Sequence, residues 1–381
     1  MGSEHSGAGG ALAGLRVIDT ATLYAGPFIS TVLADHGADV VKIEPPGGDD
    51  YRHADNRMWP LLARHKKSVV ADLRSPEGTD LVRAMLADTD VLVVNMPTKL
   101  LTRIGLDYDA VASLNPDLIY VHVTGFGADG PYADRPGNGT LAEAMAGLTH
   151  MTGAADGPPT LASVPLGDAV TGYVGAFGVL AACYQRLAHG ASGQFIDVNP
   201  LDAMLQAVGP MLTAYVPGGE VPGRMGSGMP NNPLRGVFAT RDGGWVVIGA
   251  STPRHVRETY ALAGYDVTAP DADPAGEGIA KLRSWLAQQD RDDVVATFLD
   301  RRLPISPVYD ATDLHRDPHL AVRQALVPVH TAEHGEIITP AAAPRLRNGT
   351  VLWGDGPGQR VARTPDVDEH GEQLRERFRP S

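Results

Sequence analysis

A chain of 381 residues can bury a sizeable core without covalent staples, and its single cysteine excludes an internal disulfide or a cysteine metal cluster. Its 45 acidic against 32 basic residues, a formal charge of −13, argue against a general nucleic-acid binder and leave room only for a local basic pocket around one anionic ligand. No run of about twenty uninterrupted apolar residues occurs, and the opening MGSEHSGAGGALAG lacks the basic and apolar regions of a secretory leader, so the expectation is a soluble cytoplasmic protein.

From residue 15 the chain reads as a β-α-β unit: LRVID is a short apolar strand, PFISTVLADHG has helical spacing ended by Gly37, and ADVVKIE is a second strand. SVVADL (68–73) is strand-like, PEGTDLVRAMLADT (76–89) helical, DVLVVNM (90–96) a strand, and LIYVHVTGF (118–126) another. Apolar strands alternating with helices predict a Rossmann-like parallel sheet covered on both faces. From Gly139 to about Leu187 the chain turns helical, and AVTGYVGAFGVLAACYQRL reads as a buried helix with close-packing glycines and Cys183 as a small filler. GQFIDVNPLDAMLQAVGPML adds a strand and a helix, closing a large domain over 1–215.

Residues 216–236 are rich in Gly and Pro without periodicity and read as a linker or functional loop. VFATRDGGWVVIGA (237–250) predicts a hairpin about Asp242-Gly243-Gly244, followed by helices at 254–264 and 277–302 and the short strand ISPVYD, a smaller α+β domain over 237–324. The segment 325–381, with a strand LVPVHT and a solvated terminal helix in DVDEHGEQLRERF, is expected to return to the large domain.

The turn after LRVID is TATLYAGPF, without the G-x-G-x-x-G of a dinucleotide site. P-loop, zincin and G-x-S-x-G motifs do not occur, and the thirteen histidines show no ligand spacing, so no metal is expected. Taken alone, Asp168 between an apolar segment and a glycine-rich helix reads as a helix N-cap, and Lys42 and Glu44 as a solvated pair.

Five stretches in order are more specific: GLRVIDTATLYAGPFISTVLADHGADVVKIEPPGGDDYR, KKSVVADLRSPEG, DVLVVN, LNPDLIYVHVTGFGADGPYADRPG and LGDAVTGYVGAFGVLAACYQRLAHGASGQFIDVNPLDAML. Together they resemble the class III CoA-transferases, the family of formyl-CoA transferase and carnitine CoA-transferase. The resemblance covers 14–205 and continues more weakly to about 345, through PISPVYDATDLHRDPHL. It implies an interlocked homodimer that moves CoA from an acyl-CoA to a carboxylic acid. Coenzyme A would be substrate, with no permanently bound cofactor and no membrane or nucleic-acid partner.

The resemblance makes Asp168, in G-D-x-x-[TS]-G, the covalent nucleophile, a carboxylate adequate to attack a thioester. It places Tyr24, Ala25, Leu73, Arg74, Asn95, Met96, Arg103 and Ile104 around CoA, with Arg74 and Arg103 as guanidinium partners for its phosphates. An arginine of formyl-CoA transferase is Pro45 here, so the adenine contact differs. Gly226 and Gly228 in MGSGMP match the loop that gives the family its oxyanion donors, although the run of four glycines is missing and an ordinary linker remains the alternative.

The related α-methylacyl-CoA racemase moves an α-proton with a histidine and an acidic residue where this chain has Asn138 and Thr252, which leaves two-base proton abstraction without candidates. Formyl-CoA transferase has a tyrosine at the Asn138 position, which counts Asn138 among the substrate-side residues. Met145, Met151, Met211, Met225 and Met229 suggest either an apolar acyl pocket for a substrate larger than formate or ordinary core. A non-catalytic acyl-CoA binder is the alternative from another class, and a lyase, isomerase or acyl-transfer variant of the same fold is a third.

Overall fold

The alternating apolar runs form the parallel layer that their order implies. The computed structural model describes residues 10–54, 57–219, 221–229, 232–346 and 362–379. The chain falls into two compact units, one built from residues up to Leu148, Ala162–Thr213 and Ala321 onward, the other from Thr149–Leu161 and Ala214–Leu320. Residues 149–161, expected in the large domain, thus group with the second unit.

In the first unit, the run is β1 (Arg16–Asp19), α1 (Ala25–Asp35), β2 (Asp39–Glu44), α2 (Trp59–Ala63), β3 (Lys67–Val70) and α3 (Pro76–Leu86). It continues through β4 (Val91–Val94), α4 (Thr98–Ile104), α5 (Tyr108–Leu114), β5 (Ile119–Val123) and α6 (Gly139–Met145). After α7 (Leu148–Met151), which passes into the second unit at Thr149, the first unit resumes with α8 (Leu166–His189), β6 (Phe195–Val198), α9 (Pro200–Ala207) and α10 (Gly209–Ala214). The six strands make one parallel sheet in the order β3-β2-β1-β4-β5-β6. The order reverses between β1 and β4, the place where open α/β sheets leave a crevice for ligands. β4 reads VLVV and is wholly buried, as a strand covered on both faces requires.

Helix α8 lies against α1 because it carries glycines at the crossing. A Cβ on Gly172 would come within 2.5 Å of Phe28 Cδ1, and one on Gly175 within 2.4 Å of Ile29 Cδ1. The other face of α8 is open: Phe177 is 72 %, Tyr184 68 % and Leu187 85 % exposed. The helix expected to be buried is therefore buried on one face only. Cys183 is only partly buried at the edge of the core, and burial pushes its thiol up.

Lys42 and Glu44 are not solvated but 1 % and 0 % exposed. Their neighbours explain the difference, since each charge has a partner inside. Lys42 donates to the Ala21 carbonyl and lies 3.4 Å from Asp49, and Glu44 accepts both Nε and Nη2 of Arg52 at 2.6 Å. The Arg52 guanidinium in turn stacks 4.2 Å from the Trp59 ring centroid.

In the second unit, β7 (Arg235–Ala239) and β8 (Trp245–Gly249) form the expected hairpin, with Gly243 at φ +81°, and β9 (Ile305–Pro307) pairs with β8. Helices α11 (Pro253–Leu262), α12 (Ile279–Leu286) and α13 (Arg291–Asp300) supply Tyr260, Leu282, Leu286, Val294 and Phe298 to its core. The single helix expected over 277–302 is thus two. After α14 (Ala311–Arg316) and α15 (Pro318–Val322), the chain returns to the first unit with the β10 (Leu326–Thr331) and β11 (Gly335–Pro340) hairpin and the helix α16 (Gly371–Arg377). That last helix is not simply solvated, because Leu374 is buried in the core beneath β1 to β4.

Candidate active site

Asp168 stands in the first turn of α8, two residues after Leu166, and its carboxylate meets the first residue of α6. A Cβ on Gly139 would lie 2.5 Å from Asp168 Oδ2, and one on Gly167 would lie 2.7 Å from the Gly139 carbonyl oxygen. Only glycine at both positions lets the two helix starts meet backbone to backbone. The Gly139 N–H favours the charged form of the adjoining Asp168 carboxylate. Asp168 is not the N-cap that its position suggests when read alone, since that place belongs to Pro165, which offers no side-chain cap.

Burial holds Asp168 above the usual carboxylate range, the Gly139 N–H pulls it down, and the charge of Glu143 adds to the rise. Apolar and phenolic groups make its surroundings. Tyr24 is 8 % exposed, and burial followed by the Asp168 charge pushes its phenol up to about 12. The Tyr51 phenol is raised by the same two causes. The Phe28 ring lies tilted 5.5 Å from Tyr24 and edge-on at 5.2 Å from Tyr173. The arrangement is a partly desolvated carboxylate aimed out of a helix start with aromatic walls, suited to attack a thioester carbonyl.

Of the residues expected around CoA, Tyr24 and Ala25 follow β1, Leu73 and Arg74 follow β3, Asn95 and Met96 follow β4, and Arg103 and Ile104 end α4. Asn95 follows β4 and accepts the Thr22 N–H at 3.0 Å while its Nδ2 donates to the Thr22 carbonyl at 2.7 Å. It therefore clamps the β1 to α1 turn that carries Tyr24 and Ala25. Leu73, Met96 and Ile104 pack partly buried on one hydrophobic cluster. Arg74 and Arg103 are exposed, and neither guanidinium makes an ion pair with a described residue, unlike the internally paired Arg52 and Arg64. An exposed guanidinium without an internal partner suits an anionic ligand.

Asn138 caps α6, its side chain accepting the Leu141 N–H at 3.1 Å, and Thr252 caps α11 through the His255 N–H at 3.2 Å. Both positions that carry a proton in the racemase thus serve as helix caps here. Gly226 and Gly228 lie exposed in the second unit, and their N–H groups donate to the carbonyls of Gly153 (3.1 Å) and Met225 (3.3 Å). Both expected oxyanion donors are therefore engaged by backbone carbonyls, Gly226 by that of the 149–161 segment and Gly228 by that of its own loop. Met145, Met225 and Met229 are exposed, and Met211 packs on Gly147.

Gly139, Tyr51 and Glu143 lie beside Asp168 and were not singled out by sequence reasoning. The Gly139 signal was present in PGNG directly after the aromatic GPYADRP stretch. Nothing local marks Tyr51, about 120 residues away in the chain, because only the fold brings it near.

Residues 12–370 match the profile of CoA-transferase family III. The succinyl-CoA--D-citramalate CoA-transferase of Chloroflexus aurantiacus is 34 % identical over 358 residues, 89 % of each chain. The succinate--glutarate CoA-transferase of Agrobacterium fabrum is 31 % identical over 95 % of this chain and 94 % of its own. The crystal structure of a CAIB/BAIF family protein from Brucella suis superposes with a TM-score of 0.84 at 28 % identity, covering 97 % of this chain and all of its own. The chain belongs to CoA-transferase family III and is an enzyme of that class.

Proposed function

We propose that this enzyme moves CoA from an acyl-CoA to a carboxylic acid through covalent intermediates on Asp168. An Asp168 oxygen attacks the thioester carbonyl, and the tetrahedral intermediate collapses with cleavage of the C–S bond, giving a mixed anhydride and CoA thiolate. The thiolate attacks the Asp168 acyl carbon, breaking its bond to the bridging oxygen and releasing the donor acid. The acceptor carboxylate then attacks the aspartyl-CoA thioester, and the same steps run in reverse. Protons neither enter nor leave. The observation that carries this reading is the Asp168 carboxylate, partly desolvated yet met by the Gly139 N–H.

Relatives named for succinyl-CoA or succinate support a short dicarboxylic acyl-CoA as donor and a small carboxylic acid as acceptor. The apolar stripe Tyr173, Phe177, Leu180, Tyr184 and Leu187 on the open face of α8 supports a homodimer, since a soluble chain rarely leaves so many large apolar groups in line. The racemase reading is disfavoured by the cap roles of Asn138 and Thr252.

Intact-protein mass spectrometry after incubation with succinyl-CoA tests the proposal. Wild type gains a CoA or succinyl adduct that hydroxylamine removes, and Asp168→Ala gains none. Absence of any adduct while CoA still binds, or its persistence in Asp168→Ala, overturns it.

A further inference from the structure

Helix α8 begins without a side-chain cap of its own, because Pro165 supplies none. Its missing acceptor comes from another helix. Glu143, on α6 and only 1 % exposed, accepts the Gly167 N–H through Oε1 at 2.8 Å. The amide it holds is the one immediately before Asp168. The helix start that bears the nucleophile is thus fixed by a buried carboxylate, while the start of α6 is fixed by Asn138.

Asp168 lies in the first turn of the 24-residue α8, whose N-terminus carries roughly half a positive elementary charge. Such a field steadies a carboxylate and makes it a weaker base and a weaker nucleophile. A second anion underneath offsets the field without touching the substrate. We propose that Glu143 is a positioning residue of the reaction: it caps α8 to hold Asp168 in attack geometry, and its charge preserves the basicity of that carboxylate. The inference rests on Asp168 being the nucleophile.

The other groups facing Asp168 do not supply this charge. Tyr24 from the α1 turn and Tyr51 are phenols, raised in part by Asp168 itself. Tyr173 lies on α8 beside Phe28, and Arg64 is bound to Asp35 through two hydrogen bonds. On α9, which packs against both α6 and α8, the carboxylate of Asp202 is taken by the Asn199 side chain at 2.8 Å.

Single-turnover formation of the succinyl-CoA-derived adduct, followed by quenched mass spectrometry from acidic to neutral pH, separates the two parts. Glu143→Gln keeps an acceptor for Gly167 and removes the charge. Its melting temperature stays near wild type, its acid limb moves down by roughly half a pH unit or more, and its plateau rate falls about three- to tenfold. Glu143→Asp keeps the charge and withdraws the acceptor, so the limb stays and the plateau falls; it also serves if Glu143→Gln fails to fold.

A Glu143→Gln profile superimposable on wild type overturns the proposal, as does a Glu143→Asp variant with the wild-type plateau. No adduct in wild type sinks the nucleophile reading, and this proposal with it. An adduct in wild type with an unmoved variant sinks this proposal alone.

Discussion

Gly139→Ala is the smallest change that tests the geometry of the proposed nucleophile, Asp168. The added methyl would sit 2.5 Å from Asp168 Oδ2 and 2.6 Å from Asp168 N. A carbon does not approach an oxygen so closely, so the carboxylate must retreat by roughly half an ångström or more, at a packing cost of about 1–3 kcal/mol. The Gly139 N–H survives the substitution, so the loss is of position and not of a donor. A displacement of this size at an attacking atom costs on the order of a hundredfold in kcat. The assay is CoA exchange between succinyl-CoA and glutarate, resolved by liquid chromatography, with CoA affinity measured alongside. Activity within a few-fold of wild type, in a folded variant, refutes the placement of Asp168 against α6.

Three further predictions follow from other parts of the molecule. Asp168→Asn raises the melting temperature at neutral pH: burial lifts the folded-state pKa above its unfolded value, so the ionised group costs stability above that folded pKa and costs nothing below the unfolded one. The gain should shrink as pH falls through that interval, and a constant or opposite difference in thermal melts across pH contradicts it. Arg103→Ala weakens acyl-CoA binding, chiefly in KM and by about tenfold; steady-state kinetics with the corresponding dephospho-CoA thioester would show a much smaller loss if Arg103 meets the 3′-phosphate. Phe177→Asp combined with Tyr184→Asp places charge on the open stripe of α8 and should yield monomers in sedimentation equilibrium; an unaltered dimer means that this face is not the interface.

The sheet was legible in the sequence because buried parallel strands such as DVLVVN and LIYVHV are unbroken apolar runs bounded by turn residues. What could not be read was which charged residues lie inside. Lys66 and Lys67 are neighbours of one kind, yet Lys66 is internal, bound to Asp19, Ser30 and the Pro27 carbonyl, while Lys67 is at the surface beside Asp39. A strand alternates its faces, but the partner that makes burial of a lysine tolerable comes from β1, about 47 residues earlier in the chain. The same limit hid Glu143, whose partner is an amide of another helix. The open face of α8 escaped because its composition is apolar on both sides, and apolarity alone does not tell a core from an interface.

Those internal charges bear on the site. Leu23 has a left-handed backbone, φ +66°, and is 56 % exposed, a conformation that costs a non-glycine residue about 1–2 kcal/mol. Nothing in its own side chain compensates, so the turn must be held from its flanks. Asp19 accepts the Ala21 N–H at 3.0 Å, Lys42 donates to the Ala21 carbonyl at 2.5 Å, and Asn95 takes both backbone groups of Thr22. Lys66 then joins Asp19 to the first turn of α1, its ammonium held down to about 8 by burial against the opposing pull of Asp19. Breaking such a buried pair costs about 3–5 kcal/mol, more than the strain at Leu23. The turn that carries Tyr24 is therefore set by the buried charges of Asp19, Lys42 and Lys66 and by Asn95.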